Sequence, residues 1–172
     1  MTTTSILHRP KFAATLAVLA FGIAALALLT GCTAEVDAEM KTYAGVNAVR
    51  TRAGLPPLQP DRALVEAARE RSNDMAKTGH FAHDKIGGCP NEFTCVLDRR
   101  GIPYAYAGEN IAWNQGVPWS ETADRAVTAW RNSPPHLENI MNCHYTKFGT
   151  GVTQSPDGKI WYTMIFEGNA AC

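Results

Sequence analysis

The chain has 172 residues, five of them cysteines, and its 16 Lys and Arg residues balance its 16 Asp and Glu residues. This length suits one ordinary domain, which can bury a hydrophobic core without help from other chains. A composition with no basic excess lacks the charged surface that binds nucleic acid, so we expect no nucleic-acid partner.

The first predicted element is an export signal at residues 1–31. Two basic residues, Arg9 and Lys11, precede an apolar run from residue 12 to residue 29, as in a secretory signal peptide. The run ends in LTGC at 29–32, which resembles a bacterial lipobox, so we expect cleavage before Cys32 and acylation of its thiol. An uncleaved anchor helix and an ordinary signal peptide are the alternatives.

The predicted mature chain consists of a short tether that starts with the lipidated Cys32 (32–37) and a domain (38–172). At roughly 3.5 Å per residue, the tether would hold the domain within about 20 Å of the bilayer. Loss of the signal removes two basic residues and no acidic residue, which leaves a slight acidic excess. We therefore expect an extracytoplasmic protein, either anchored to a cell membrane by its lipid or secreted.

The other four cysteines predict two disulfide bonds. An even number of cysteines in an exported domain is typical of disulfide bonding, and four cysteines allow three connectivities. We favour Cys89 with Cys95, which closes the short loop CPNEFTC, and Cys143 with Cys172, which holds the C-terminal segment. Zinc ligation by these cysteines is disfavoured because the sequence contains no CxxC pair.

The first part of the domain is predicted to be helical. Residues 38–52 form one helix with an apolar stripe, in which the Arg50–Arg52 stretch is interpreted as a solvated face. A second helix starts after the N-cap candidate Asp61 and ends at Gly79. A loop rich in His, Gly and Cys follows, and then a short helix near residues 92–100. The apolar stripes of the first two helices comprise Met40, Tyr43, Val46, Val49, Leu64, Ala68, Met75 and Ala76.

Strands dominate the later part of the chain. Residues 104–114, YAYAGENIAWN, alternate with the period of two that is typical of a strand. Ser120 and Glu121 are predicted to cap a helix that ends before Pro134. FGTGVTQ and KIWYTMIF flank a turn signal at Asp157–Gly158, which predicts an antiparallel hairpin.

KIWYTMIF is almost entirely apolar, so it is predicted to be a central strand covered by helices on both faces. The tryptophans are assigned to the core or to a cavity wall. This order of elements predicts an α/β (α+β) fold, a three-layer α/β/α sandwich with a mostly antiparallel central sheet.

Five sequence blocks, in order and spacing, resemble the CAP superfamily of cysteine-rich secretory, allergen and pathogenesis-related proteins, and above all its bacterial branch of SCP-like extracellular domains. The blocks are NAVRTRAGLPPL, HFAH, AGENIAW, AWRNSPPHLENIM and FGTGV, and they cover about residues 38–168. The resemblance implies the same sandwich, with a surface cavity at which a cluster of histidine and glutamate side chains meets solvent.

The resemblance implies that His83, Glu109 and His136 line this cavity. His83 is the second histidine of HFAH, and Glu109 belongs to GEN. The CHYT sequence superficially resembles a family signature and would make His144 a candidate for the second cavity histidine. The cavity histidine of the family, however, lies twelve positions before the hydrophobic residue that opens the G-x-G strand. Phe148 opens that strand here, so the matching residue is His136.

The chain departs from the family pattern at the fourth cluster position. Animal and plant members often carry a second glutamate three residues after the helix tryptophan, Trp130, and this chain has Ser133 there. Pro135 replaces a glycine of the family's usual SPGH motif. Glu138 is a substitute candidate, although its place on a short helix favours a solvated side chain.

Two imidazoles and a carboxylate are a plausible first shell for Zn²⁺ or another divalent cation, and the family is associated with metal binding there. We consider His83 and His136 the candidate metal ligands, whereas Glu109 is expected to accept a hydrogen bond from a histidine and fix its tautomer. No cofactor is required for folding. Catalysis is poorly supported, because no G-x-S-x-G motif is present and Ser133 replaces the second carboxylate.

Three functions follow from this sequence. The favoured one is a membrane-anchored binding module for a lipid, a sterol-like molecule or another small amphipathic ligand. The alternatives are a metal-dependent hydrolase or peptidase of the cell envelope, and an interaction module that contacts an envelope or host protein through the loop 84–96 and NQGVPW. His80 and His144 are interpreted as surface or strand-flanking residues.

Overall fold

A computed structural model of the chain describes residues 34–84 and 92–172. The predicted signal, the acylation site Cys32 and the loop cysteine Cys89 lie outside the described residues. The fold below is that of the unit Glu35–Cys172. Its helices are α1 (residues 34–52), α2 (Arg62–Thr78), α3 (Thr94–Arg99), α4 (Trp119–Arg131) and α5 (Pro134–Met141), and its strands are β1 (Gln59–Pro60), β2 (Tyr106–Asn114), β3 (Lys147–Gln154) and β4 (Ile160–Gly168).

The four strands form one sheet in the order β1-β3-β4-β2. The pairs β3–β4 and β2–β4 are antiparallel, and only the two-residue β1 is parallel to its neighbour. Every residue of β4 is buried, which confirms the prediction of a central strand. β2 lies at one edge of the sheet, and the candidate site is at this edge.

One face of the sheet is covered by α2 and α3. Asp61 caps α2 as predicted, since its carboxylate accepts hydrogen bonds from the amides of Ala63 and Leu64. On the covered side of β4, Trp161 and Ile165 pack against this helical layer. The alternating residues Tyr162, Met164 and Phe166 belong to the opposite core cluster.

The other face is covered by α1, α4 and α5. Trp130 of α4 is fully buried, and its indole N–H donates to the carbonyl of Ile111 on the edge strand β2. Val46 of α1 and Ile140 of α5 pack in the same cluster. The three-layer sandwich with a mostly antiparallel sheet is thereby confirmed.

The buried stripe of α1 differs from the predicted one. Ala38, Thr42, Val46 and Arg50 are buried, whereas Met40 is exposed. Arg50 was assigned to a solvated face, and that interpretation is wrong. Its guanidinium donates to the carbonyls of Pro56, Ile140, Asn142 and Tyr145, which replaces the hydrogen bonds lost to water.

Three further details differ from the sequence predictions. Residues 34–37, which were assigned to the tether, are helical, and Glu35 accepts a hydrogen bond from the amide of Gln154. Helix α4 starts at Trp119 after Pro118, which lacks a capping side chain, so Ser120 lies within the first turn. Trp113, which was assigned to the core or to a cavity wall, is 48% exposed, and this excludes the core.

One of the two predicted disulfides lies within the described residues. Cys143 and Cys172 are bonded, with their Cα atoms 5.4 Å apart. Cys95 is also disulfide-bonded, and its predicted partner Cys89 lies outside the described residues. Among the helices that the structure describes, none combines the length and apolarity needed to cross a membrane.

Candidate functional site

The candidate site lies at the edge strand β2, where the two helical layers meet. Glu109 is on the face of β2 that α2 covers, because it pairs with Ile165 of β4. His83 follows α2 on that side, whereas His136 belongs to α5 in the other layer. The structure brings both rings together, with 6.2 Å between their centroids.

Glu109 is the centre of the hydrogen-bond network. Its side chain is fully buried and pairs with the equally buried guanidinium of Arg71 on α2, with Nε donating to Oε1 at 2.7 Å and Nη2 to Oε2 at 2.9 Å. This two-pronged geometry is the strongest arrangement of an arginine with a carboxylate. It fixes the plane of the Glu109 side chain.

His83 is oriented by this buried carboxylate. Its Nδ1 lies 2.8 Å from Oε2 of Glu109, and its side chain is 51% exposed. A carboxylate only accepts hydrogen bonds, so Nδ1 carries the proton and Nε2 keeps a lone pair in the neutral ring. The predicted tautomer-fixing contact of Glu109 is therefore present, with His83 as its partner.

Arg71 also holds the loop that carries His83. Its Nη2 donates to the carbonyls of Ala82 and His83, at 3.3 and 3.1 Å. Among the described residues its Nη1 has no hydrogen-bond partner. One arginine thus connects the helix α2, the loop and the strand β2.

His136 is held by an amide network on the other side of β2. Asn110 donates from its side chain to the carbonyl of His136 at 3.0 Å, and Asn139 bridges Asn110 and the carbonyl of Glu109. Burial, and secondarily the nearby His83, lower the pKa of His136, while Glu109 acts in the opposite direction. His136 is therefore a neutral donor and acceptor at pH 7.

Arg71 is the site residue that the sequence analysis missed. The sequence does contain a signal for its burial, because Arg71 lies at helical spacing on the apolar stripe of Leu64, Ala68 and Met75. A charged side chain on a buried face needs a partner of opposite charge. The other candidates lie elsewhere or are solvated: Glu138 is exposed, and Ser133 is the residue that precedes α5. His80 is exposed near Asp84.

The site has few free ligands for a metal ion. Both oxygens of Glu109 are engaged by Arg71 and His83, and the guanidinium cancels the carboxylate charge. Among the residues that the structure describes, a cation at this position would therefore have His83 and His136 as its protein ligands. Another place in the fold groups three potential metal ligands, Cys143, His144 and Cys172. Their donor atoms all lie within 4.8 Å of one another, and this is the one such group among the described residues. Two of those three are bonded as a disulfide.

Residues 43–166 match the CAP family, described as the cysteine-rich secretory protein family. The chain belongs to the CAP family. It is 38% identical over 141 residues to the uncharacterized protein YkwD of Bacillus subtilis, an alignment that covers 81% of this chain and 51% of YkwD. It is also 31% identical over 122 residues to the uncharacterized membrane protein YlbC of the same organism, covering 70% of this chain and 31% of YlbC. This CAP chain therefore spans about half or less of these relatives.

Solved structures show the same fold. An extracellular protein containing a SCP domain from Bacillus anthracis superposes with a TM-score of 0.68 at 27% identity, covering 78% of this chain and 41% of that one. An outer surface protein from Borrelia burgdorferi gives 0.63 at 22% identity, covering 74% and 90%. The second likeness concerns the fold alone.

Proposed function

We propose that this CAP domain is an extracytoplasmic binding module for a lipid or another small amphipathic ligand. The observation that carries the proposal is a polar site and an exposed aromatic patch on one face of the same edge strand. In this proposal, His83 and His136 contact the polar end of the ligand. The apolar part lies along the aromatic patch.

The polar end of the site offers hydrogen-bonding groups of complementary kinds. His83 has its Nδ1 proton committed to Glu109, so its half-exposed Nε2 accepts a hydrogen bond from a ligand hydroxyl or amide. Neutral His136, 6.2 Å away between ring centroids, can donate or accept. These adjacent donor and acceptor groups suit a hydroxyl-rich or zwitterionic head more than a simple anion.

The aromatic patch consists of the exposed side chains of Phe81 and Trp113 together with the buried Trp161 that both adjoin, and Lys159 lies at its margin. Phe81 is 44% exposed and its ring lies 6.2 Å from that of Trp161. Trp161 pairs with Trp113 across β4 and β2, and the Lys159 ammonium lies 4.7 and 4.9 Å from the two indole centroids. Exposed aromatic side chains grouped in this way are typical of a binding surface.

The patch and the polar site are within the length of one amphipathic molecule. Trp113 and Glu109 lie on the same face of β2, four residues and therefore about 14 Å apart. Phe81 is two residues before His83 and extends the patch toward the site. A ligand with an acyl or ring system of this length spans both.

The proposed location supports the same ligand class. An export signal followed by the acylated Cys32 would place the domain at a bilayer surface, where amphipathic molecules are concentrated. The B. anthracis structure is described as an extracellular protein, which agrees with an extracytoplasmic position. The membrane anchor, the lipid ligand and any envelope or host partner belong to this proposal.

The test is organic extraction of the purified full-length chain, followed by mass spectrometry of the extract. We expect a defined amphipathic ligand in the wild type and much less in the His83→Ala and Trp113→Ser variants. His80→Ala is the matched control, because His80 is an exposed histidine in the same loop. An empty wild type under every extraction condition, or equal ligand in all variants, contradicts the proposal.

A second candidate ligand is a divalent cation, favoured by the facing imidazoles of His83 and His136. With two protein ligands in the described part of the chain, we expect weak binding, since structural zinc sites use four. Calorimetric titration of Zn²⁺ into wild type, His83→Ala and His136→Ala measures it. Equal affinity for all three proteins removes the site, and submicromolar binding lost in both variants would favour metal-dependent hydrolysis over simple ligand binding.

A further inference from the structure

The Cys143–Cys172 disulfide has a histidine beside it. The two sulfurs and one imidazole nitrogen of His144 all lie within 4.8 Å of one another. While the disulfide is intact, its sulfurs carry no thiolate charge and do not hold a zinc ion. Once reduced, the same three side chains provide two thiolates and an imidazole, which are the preferred ligands of zinc.

The ring of His144 is already fixed in place. Its Nδ1 lies 2.7 Å from the carbonyl oxygen of Ala170, and the ring stacks on Tyr106 with 3.9 Å between centroids and 9° between planes. A carbonyl oxygen only accepts, so Nδ1 carries the proton and Nε2 keeps the lone pair that binds a cation. Donation of the second ring nitrogen to a backbone carbonyl is the arrangement usual for histidines that ligate metals.

The geometry of the chain allows the two sulfurs to separate. Tetrahedral zinc with Zn–S bonds of about 2.3 Å needs its sulfurs about 3.8 Å apart. Cys172 is exposed and lies outside regular secondary structure after β4 ends at Gly168, so a shift of residues 171–172 separates the sulfurs while Ala170 keeps its contacts with His144. Cys143 lies in the short connection between α5 and β3 and keeps its place beside His144.

We propose that reduction of the Cys143–Cys172 disulfide converts this end of the domain into a site for a thiophilic divalent cation, with Cys143, His144 and Cys172 as ligands. A dithiol reductant supplies two electrons and two protons, becomes a disulfide itself and leaves two cysteine thiols. The cation then displaces one proton from each thiol. A water molecule occupies the fourth position.

Cobalt absorption of the full-length chain tests the proposal. Tris(2-carboxyethyl)phosphine is the reductant because it is not a thiol ligand. It takes the oxygen of one water molecule to become the phosphine oxide, and the two protons of that water go to the two cysteine sulfurs. We expect Co²⁺ to produce the near-ultraviolet thiolate-to-cobalt band in the reduced chain and no band in the oxidised chain. Zn²⁺ should abolish the band by competition.

Three variants identify the ligands. Cys172→Ser should lose the band, and His144→Ala, which leaves the disulfide and therefore the oxidised fold intact, should weaken Co²⁺ binding at least about tenfold. Cys95→Ser is the matched control and should keep the band. The proposal is overturned if reduced wild type gives no band, if Cys172→Ser keeps it, if His144→Ala binds like wild type, or if Cys95→Ser loses it.

Discussion

The buried pair of Arg71 and Glu109 is the residue-scale feature on which the candidate site depends. Removal of two charges from water costs several kcal/mol for each ion, which attraction alone offsets only in a good geometry. Here the pair is bidentate, His83 donates to the same carboxylate, and two loop carbonyls accept from the arginine. The pair is therefore best understood as a positioning device for His83.

Loss of Arg71 should be severely destabilising. Arg71→Met leaves the Glu109 carboxylate buried without its cation, and we expect the free energy of unfolding to fall by about 3–5 kcal/mol. Urea unfolding of the purified protein measures it. Arg62→Met is the matched control on the same helix, since Arg62 is exposed and pairs only with Glu66. A similar small effect of both changes would show that the buried pair is dispensable.

The lowered pKa of His136 predicts a pH dependence of stability. Burial and His83 lower its pKa below the ordinary value of 6.5, so between these two values the unfolded chain binds more protons than the folded chain. The free energy of unfolding should therefore fall as the pH is lowered through and below 6.5.

Removal of the ring isolates this contribution of His136. His136→Gln should lose less stability than wild type between pH 7.5 and pH 5.5 in urea unfolding. His80→Gln, which changes an exposed histidine, should follow the wild-type pH profile. A His136→Gln profile parallel to that of wild type would assign the pH dependence to other groups.

The meeting of His83, Glu109 and His136 could be predicted only through the family resemblance. The three residues are far apart in sequence, and no local spacing indicates that they converge. Their order on the sheet explains the convergence, since His83 follows the helix on one face of β2 and His136 belongs to the helix on the other. Arg71 was missed because an arginine within a helix is usually solvated, although its position on the apolar stripe of α2 indicates burial.

At the scale of elements, the close packing of α2 on β3 sets the distance between the sheet and the helical layer that contains α2. Glycines 149 and 151 alternate on the face of β3 toward α2, and a Cβ at either position would lie about 2 Å from α2 backbone atoms. No flexible side chain separates the two elements there. The FGTGV block is therefore explained by helix–strand contact and not by a turn.

Gly149→Ala and Gly151→Ala should each move α2 away from the sheet. We expect a loss of about 1–3 kcal/mol in the free energy of unfolding, as in other overpacked interiors, with a lower midpoint in thermal unfolding. Gly45→Ala is the matched control, because its added methyl would meet only the movable side chain of Val127 at 3.0 Å. Equal effects at positions 45 and 149 would contradict this account.

Elements with a strong period or a capping signal were predicted well, and the N-terminal ends of α1 and α4 were not. The nearly all-apolar KIWYTMIF and the capping Asp61 each carry a local physical signal, and both predictions are confirmed. The C-terminal end of helix α1 was predicted correctly. Its buried face was not, because Met40 is more apolar than Thr42 and was therefore placed on that face. The buried Thr42 hydroxyl is satisfied by the carbonyl of Ala38, a bond that no hydrophobic pattern reveals.

At the scale of the whole molecule, we expect the core and the disulfide bonds to hold the domain together without a metal ion. The sandwich has buried clusters on both faces of the sheet. The Cys143–Cys172 bond joins the segment before β3 to the residues after β4, across 29 positions. Closure of a loop of this length is expected to stabilise the fold by about 3–4 kcal/mol, mainly through the unfolded chain.

Removal of this bond therefore tests how much of the free energy of unfolding comes from the core and how much from the disulfide. The Cys143→Ser/Cys172→Ser double variant should stay folded in circular dichroism but lose about 3–4 kcal/mol in urea unfolding. The oxidised wild type should unfold at the same urea concentration with and without EDTA, because its stability comes from the core and the cross-link. A chelator that unfolds the oxidised protein would instead identify a structural metal ion and refute a metal-independent fold.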